Sequence, residues 1–257
     1  MIIEKKKEIN IADSFKSLGV LSNDIVMIHG DAGIAAQFTH IDSSQRVEEL
    51  IRQIIEYFSP EGTVVVPTFS YSFTKNENFD VNNTPSEIGK FSESFRRYPL
   101  IRRSSHPIFS VAGIGNHFEK FEKSRIDDCF GEGTAFDLIY KLGGKIICLG
   151  CDFDRVTFAH YVEQYFGVPY RYMKNFSGCV IKDGNQNQIT TSYYVREVKI
   201  NSILDLNFLK KELINQEKLL TSNIGRFSIL ATKTQDFLDC SIQLLKNNKF
   251  ALIKNEI

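Results

Sequence analysis

The sequence predicts an α/β fold, a mixed, largely parallel sheet flanked by helices as an α/β/α sandwich. A smaller antiparallel β-hairpin region is expected near the C-terminal third. Three observations lead there. Short apolar runs, DIVMI at 24–28, TVVV at 63–66 and KIICL at 145–149, are separated by stretches with apolar residues at helical spacing. Each run stops at a polar segment, His29-Gly30-Asp31, Pro67-Thr68-Phe69 or Gly150-Cys151-Asp152. Finally, VPYRYMKNFSGCVIKDGNQNQITTSYYVREV alternates apolar and polar residues around Asp183-Gly184, a hairpin signature.

Taken in order, Ile9 to Leu18 reads as a short amphipathic helix ended by Gly19. The strand Asp24–Ile28 follows, with a glycine after it that lets backbone approach a ligand closely. Ser43 or Ser44 is expected to cap a helix through RVEELIRQIIEYF. Pro60-Glu61-Gly62 then turns into Thr63–Val66, completing a strand–helix–strand unit that predicts parallel pairing. Ligands of such sheets gather beyond the carboxyl ends of the strands, so the three polar strand ends mark one candidate site edge. Residues 70–109 lack strong periodicity, as functional segments and lids often do, with a helix expected over Ser86–Arg97 and a loop from Arg102 to Pro107. The clustered Arg102 and Arg103, with Ser104, Ser105 and His106, suit a phosphate or pyrophosphate, or else a solvated basic turn. Ser110–Ile114 reads as a strand, Asp137–Leu142 as a helix, and Lys145–Leu149 as a strand. After the hairpin, Asp205–Leu220 is expected to be helical, Ile224-Gly225-Arg226 a turn, and Lys233–Lys246 the last helix.

The 257 residues, 42% hydrophobic, allow one large domain, with 168–200 as a β-rich sublobe. Lys+Arg and Asp+Glu are each 31, which offers no basic stripe for nucleic acid and weakly disfavours a polycationic ligand. The N-terminus MIIEKKKEIN has no apolar stretch behind its lysines, and no apolar run reaches the roughly 18 residues of a membrane span. A soluble, cytoplasmic protein with no membrane partner is expected. Five cysteines, an odd number, indicate neither a disulfide framework nor a structural zinc site.

The chemistry concentrates in LGCDFDRVTFAHYVE, Leu149 to Glu163. Thr157, His160 and Glu163 lie three residues apart and share a helix face, as hydroxyl, imidazole and carboxylate. A carboxylate beside an imidazole fixes its tautomer and supports a general base near neutral pH. A lone His-x-x-Glu is more often an ordinary helical pair. The surrounding strand ends tip the balance towards catalysis.

Four segments in order, GTVVVPTF, FDVNNTPSEIG, Phe95-Arg96 followed after nine residues by His106-Pro107, and TFAHYVE, resemble the aminoglycoside 3-N-acetyltransferase family over about Leu18 to Gly225. The resemblance implies an α/β/α fold and acyl transfer from coenzyme A to an amine. It implies His160 as general base paired with Glu163, and Thr157 beside the thioester. The loops at His29, Gly30, Asp31, Thr68 and Arg103 to His106 would hold the acyl-coenzyme A, either acetyl-CoA or 3-hydroxybutyryl-CoA, without a metal. Read from the residues themselves, Tyr71 and Phe73 could stack on a base or sugar, although core packing is the better expectation for either, and Asp80 and Asp154 are expected on the acceptor side. Where antibiotic-modifying members usually carry His-Ser-Ser after the first strand, this chain has His29-Gly30-Asp31, and AAQFTHIDSSQ replaces a glycine-rich stretch. PTFSYSF, CFGEGTAFDLIY and VPYRYMKNFSG look more like the branch of surface-polysaccharide (O-antigen) synthesis. That branch implies a nucleotide-linked acceptor, a dTDP-linked 3-amino-3,6-dideoxyhexose. The alternatives are an aminoglycoside antibiotic as acceptor, or a non-catalytic module binding coenzyme A or a sugar nucleotide.

Two other chemistries compete. Cys151 could form an acyl-enzyme, although cysteines bordering an apolar strand are usually inert packing. His29, His106, Asp152, Asp154 and His160 could hold a metal for amide hydrolysis, but they lack a recognised ligand spacing. An exposed Phe-rich segment would be compatible with a homodimer.

Overall fold

The computed structural model describes residues 10–254. The sequence-predicted helix start at Ile9 and the lysine-rich N-terminal stretch lie outside them. Helix α1 (Ile11–Ser17) leads into strand β1 (Ile25–Gly30), a 3-10 turn over Ala32–Gln37, α2 (Arg46–Phe58) and β2 (Thr63–Pro67). Then come β3 (Phe79–Asp80), α3 (Lys90–Arg96), β4 (Arg102–Arg103), β5 (Val111–Gly115), α4 (Phe118–Glu122) and α5 (Ala135–Lys141). β6 (Lys145–Leu149) and α6 (Phe158–Phe166) precede the hairpin β7 (Arg171–Lys182) and β8 (Asn185–Arg196). The chain continues through α7 (Asn207–Asn215), β9 (Leu219–Ile224), β10 (Phe227–Lys233) and α8 (Thr234–Asn247).

Among the described residues, seven strands form one sheet in the order β4-β5-β2-β1-β6-β10-β9. β1 pairs in parallel with β2 and with β6, which is the strand–helix–strand unit expected from the sequence. The outer pairings are antiparallel, β5 on β2, β4 on β5, β10 on β6 and β9 on β10. The sheet is therefore mixed, with its parallel content confined to the three central strands. Those strands are buried on both faces, which is why they read as unbroken apolar runs. Met27, Val65, Ile146 and Cys148 enter one core cluster, whereas Val26, Ile28, Val64, Val66, Ile147 and Leu149 enter the other. Helices α1 to α3 cover the second cluster, and α5 to α8 the first.

The hairpin turns at Asp183-Gly184, both in the left-handed region at φ 51° and 79°, which suits the two-residue turn predicted there. With β3 alongside β7 it forms a separate three-stranded sheet. Three expectations change. The sheet is mixed as expected but mostly antiparallel rather than largely parallel, because β5, β4, β10 and β9 all join it in antiparallel pairs. Neither Ser43 nor Ser44 caps α2, whose N-cap is Gln45; Ser44 instead turns back onto the Asp42 carboxylate. The helix expected over Asp205–Leu220 ends at Asn215, and Leu219 onward is strand β9. The chain leaves the helix at Glu217, at φ 56°, so no glycine or proline announces the break. No helix among the described residues is long and apolar enough to cross a membrane.

Candidate active site

Parallel pairing brings the carboxyl ends of β1, β2 and β6 to one edge of the sheet. There His29, Gly30, Asp31, Pro67 and Cys151 border a cavity of about 670 Å³, with Thr157 also in its wall. Its size falls within the range of small-molecule sites. Gly30 is needed at this edge because a Cβ there would collide with the Phe91 ring of α3.

Gly150 takes φ 72°, ending β6 and swinging the chain through a 3-10 turn into α6. Thr157 stands at the N-cap of α6 without capping it, and His160 lies one turn further on. His160 opens on a second cavity, also about 670 Å³, whose wall includes Arg171, Lys174 and Tyr193 of the hairpin. Tyr71 belongs to both cavities.

Helical spacing does what the sequence predicts. His160 Nδ1 lies 2.6 Å from Glu163 Oε2. A carboxylate accepts, so Nδ1 carries the proton and Nε2 is left as the basic nitrogen. Glu163 is fully buried, whereas the His160 side chain keeps 20% of its surface open. Arg171, at the start of β7, closes the group. Its Nε lies 2.7 Å from Glu163 Oε2 and its Nη2 3.1 Å from His160 Nδ1, while Nη1 donates to the Tyr194 carbonyl at 3.1 Å. Burial, and then the Arg171 charge, pull the His160 pKa below its ordinary value against the opposing pull of Glu163. The imidazole is therefore neutral at physiological pH, the state a base requires.

Several residues expected to hold the coenzyme are committed elsewhere. Arg103 is buried and donates to Thr68 O at 2.6 Å, Thr84 O at 2.5 Å and Ser110 Oγ at 3.1 Å. Its guanidinium also lies 4.8 Å from the Phe79 ring centroid, which leaves it no face for a phosphate. Thr68 and Ser104 are buried, Thr68 Oγ1 donating to the Ser110 carbonyl and Ser104 Oγ accepting from Val111 N. His106 donates from Nε2 to Asp128 O and accepts the amides of Ile108 and Phe109 at Nδ1, and burial lowers its pKa to about 4. This cluster ties β4 and β5 to neighbouring loops; Ser105, half-buried, lines neither cavity. Of the expected acceptor contacts, Phe73 packs in the core against Gly178, and Asp80 accepts the amides of Asn82 and Asn83. Asp154 does border the first cavity while accepting the Leu206 amide at 2.7 Å. His29 borders the same cavity, and burial lowers its pKa to about 4.

The sequence reading missed Arg171. The usable signal is an arginine between Tyr170 and Tyr172 at a strand start, where a charge demands a buried partner. Cys151 donates to the His29 carbonyl at 3.2 Å, and Cys148 is buried with its pKa raised by Cys151 and by burial, so Cys148 is not an activated thiolate. Among the described residues, no group of three or more His, Cys, Asp or Glu could hold a metal ion.

The description aminoglycoside 3-N-acetyltransferase belongs to a family model that matches residues 36–246. The chain is 24% identical over 200 residues to the SPbeta prophage-derived aminoglycoside N(3')-acetyltransferase-like protein YokD of Bacillus subtilis, covering 69% of this chain and 71% of that one. It is 26% identical over 175 residues to aminoglycoside N(3)-acetyltransferase IV of Salmonella sp., covering 65% of this chain and only 62% of the relative's length. Among solved structures, AAC-IIIb bound to CoASH superposes with a TM-score of 0.79 at 17% identity, covering 96% of this chain and 97% of that one. The YokD crystal structure gives 0.76 at 20% identity, covering 93% of each.

Proposed function

The chain belongs to the aminoglycoside 3-N-acetyltransferase family of CoA-dependent enzymes, and from that membership we propose that it moves an acetyl group from acetyl-CoA to the amine of an amino sugar. One observation carries the chemistry. A neutral imidazole, tautomer fixed by a buried carboxylate 2.6 Å away, opens on a cavity that adjoins the strand-end cavity through Tyr71.

In the proposed reaction the thioester lies in the strand-end cavity beside Thr157, and the acceptor lies above His160. The amine nitrogen attacks the thioester carbonyl, and His160 Nε2 takes the proton that the nitrogen sheds. The tetrahedral intermediate collapses with cleavage of the carbon–sulfur bond, and the imidazolium returns the proton to the CoA thiolate. In this scheme Glu163 stabilises the imidazolium in between, and the Thr157 hydroxyl, from the wall of the strand-end cavity, donates to the developing oxyanion.

For the acceptor, the names of the relatives point to aminoglycosides. The nucleotide-linked 3-amino-3,6-dideoxyhexose suggested by the sequence has no named relative behind it, and 3-hydroxybutyryl-CoA likewise gives way to acetyl-CoA. The test is free-thiol release from acetyl-CoA with aminoglycosides and amino-sugar nucleotides offered separately. His160→Ala should lower kcat by roughly 10²–10⁴-fold while CoA still binds. A folded His160→Ala protein with near-normal turnover would remove the base from this scheme.

A further inference from the structure

At the carboxyl end of β6 two cysteines stand three residues apart, in Cys148-Leu149-Gly150-Cys151. Beside a strand–helix–strand unit this C-x-x-C spacing is the pattern of a redox-active dithiol, and the acetyl transfer makes no use of it. Gly150, at φ 72°, turns the chain out of β6 without carrying Cys151 away from it. Cys148 belongs to the core cluster on one face of the sheet, and Cys151 packs against that same cluster. Both are also tied to His29 of β1. Cys148 is its partner in the parallel register, and Cys151 Sγ donates to its carbonyl at 3.2 Å. The Cys151 thiol lies near enough to raise the Cys148 pKa, ahead of the effect of burial. Cys129, Cys179 and Cys240 are buried in other places, beside Thr191, Gln186 and Gln216.

The two thiols differ in access. Cys148 is buried, whereas Cys151 is half-buried and borders the strand-end cavity. His29 borders that cavity too, and it projects to the same face as Cys148 because directly paired residues share a face. Its Nε2 is buried without a hydrogen-bond partner. An orphaned buried polar atom calls for an explanation, and a redox site at the same spot supplies one.

We propose that Cys148 and Cys151 form a reversible disulfide by exchange with a small-molecule disulfide, and that its closure shuts down the strand-end cavity. The Cys151 thiolate attacks one sulfur of the small disulfide, breaking its S–S bond, forming a mixed disulfide and releasing one thiolate. The Cys148 thiolate then attacks Cys151 Sγ, forming the intrachain S–S bond and releasing the second thiolate. The two cysteine protons end on the two released thiols. The cysteine pair is oxidised by two electrons, and the small disulfide is reduced by two. Closure takes Cys151 Sγ off the His29 carbonyl and out of the cavity wall, and it displaces the segment that leads to Thr157 and α6. The loss of acetyl transfer that follows rests on the acetyltransferase reading, whereas the thiol exchange does not.

The test exposes the whole chain to excess oxidised glutathione, then counts free thiols after denaturation and measures the intact mass. The wild type should lose two of its five free thiols and two hydrogens, with no glutathione attached. Acetyl transfer should be lost with them, and a reductant should restore both. Cys151→Ser keeps a donor for the His29 carbonyl; it should retain its remaining thiols, and its turnover, at whatever level, should not respond to the probe. Cys148→Ala should hold one glutathione on Cys151. That variant alters the core, so Cys151→Ser decides the assignment if Cys148→Ala does not fold. Five thiols surviving the probe would overturn the pair. So would a glutathione adduct on the wild type that never resolves, or the same loss of two thiols in Cys151→Ser. A wild type that closes the disulfide and still transfers acetyl at its reduced rate would overturn the shutdown. Disulfide closure in a chain that transfers acetyl to no acceptor would overturn the transferase reading and the shutdown with it, while the exchange site would stand.

Discussion

Arg171 divides the charge of Glu163 with His160, and that division sets how basic the imidazole is. Glu163 alone, 2.6 Å from Nδ1, would favour the imidazolium. The Arg171 guanidinium, 3.1 Å from the same nitrogen, opposes it, and burial adds to the opposition. The Phe130 ring, 5.6 Å away, is uncharged, and the Tyr170 and Tyr193 phenols stay protonated because burial raises their pKa values. Replacing Arg171 with Gln removes the cation 3.1 Å from the ring, so the His160 pKa should rise. In the proposed mechanism activity requires the neutral ring, so the acidic limb of kcat/KM should move to higher pH, with the alkaline plateau retained. The fold should also lose a few kcal/mol, because Glu163 would then be buried with one partner fewer. A pH profile of the folded variant identical to wild type would show that Arg171 only braces the structure. At this scale the sequence was half legible. His160 and Glu163 are one helical turn apart, and that spacing shows in the chain. Arg171 reaches them only because the chain turns back at Gly167, φ 76°, and such a contact leaves no periodic trace.

Among the elements, β1, β2, β6 and the Asp183-Gly184 hairpin were legible because each couples a backbone requirement to a residue pattern. Buried central strands demand apolar runs, and a two-residue turn demands positive φ. β9 was not legible, since Leu209 and Leu213 set a helical period that Leu220 continues, and the break falls at Glu217 with no sequence signal. The Arg103–His106 segment misled for a related reason. Arginine and serine side chains that suit a phosphate equally satisfy buried carbonyls, and only packing tells which. Antiparallel β5 shows how closely the sheet edge is built. A Cβ at Gly113 would overlap the Val64 carbonyl oxygen on β2 and the Phe118 ring of α4. Backbone on one side and a packed ring on the other leave no room for adjustment. Gly113→Ala should therefore cost about 1–3 kcal/mol of stability, read as a lower urea midpoint, with turnover by the folded fraction unchanged. An unshifted midpoint would mean that the β2–β5 pairing yields more easily than its geometry indicates.

For the molecule as a whole, the neutral buried histidines couple folding to the same pH range in which the base must be neutral. His29 and His106 are each held at a pKa of about 4 by burial, against an ordinary value of 6.5. Between those values the unfolded chain binds more protons than the folded one, so stability rises with pH through this window and is lost as pH falls. At pH 5.5 the loss is about 1.4 kcal/mol for each histidine, growing to about 3 kcal/mol once the pH falls below the folded value. His160, also lowered by burial and Arg171, acts in the same direction. Urea midpoints should accordingly be level above about pH 7.5 and drop markedly by pH 5.5, before most carboxylates titrate. His106→Gln keeps a donor towards Asp128 O and an acceptor for the Ile108 and Phe109 amides but cannot titrate. Its midpoint should sit lower at pH 7.5 yet fall less on acidification. Equal slopes for variant and wild type would mean that the acid sensitivity arises elsewhere. Loss of activity on mild acidification combines unfolding with protonation of His160 in the proposed mechanism, and the two effects separate because His160 titration reverses without unfolding.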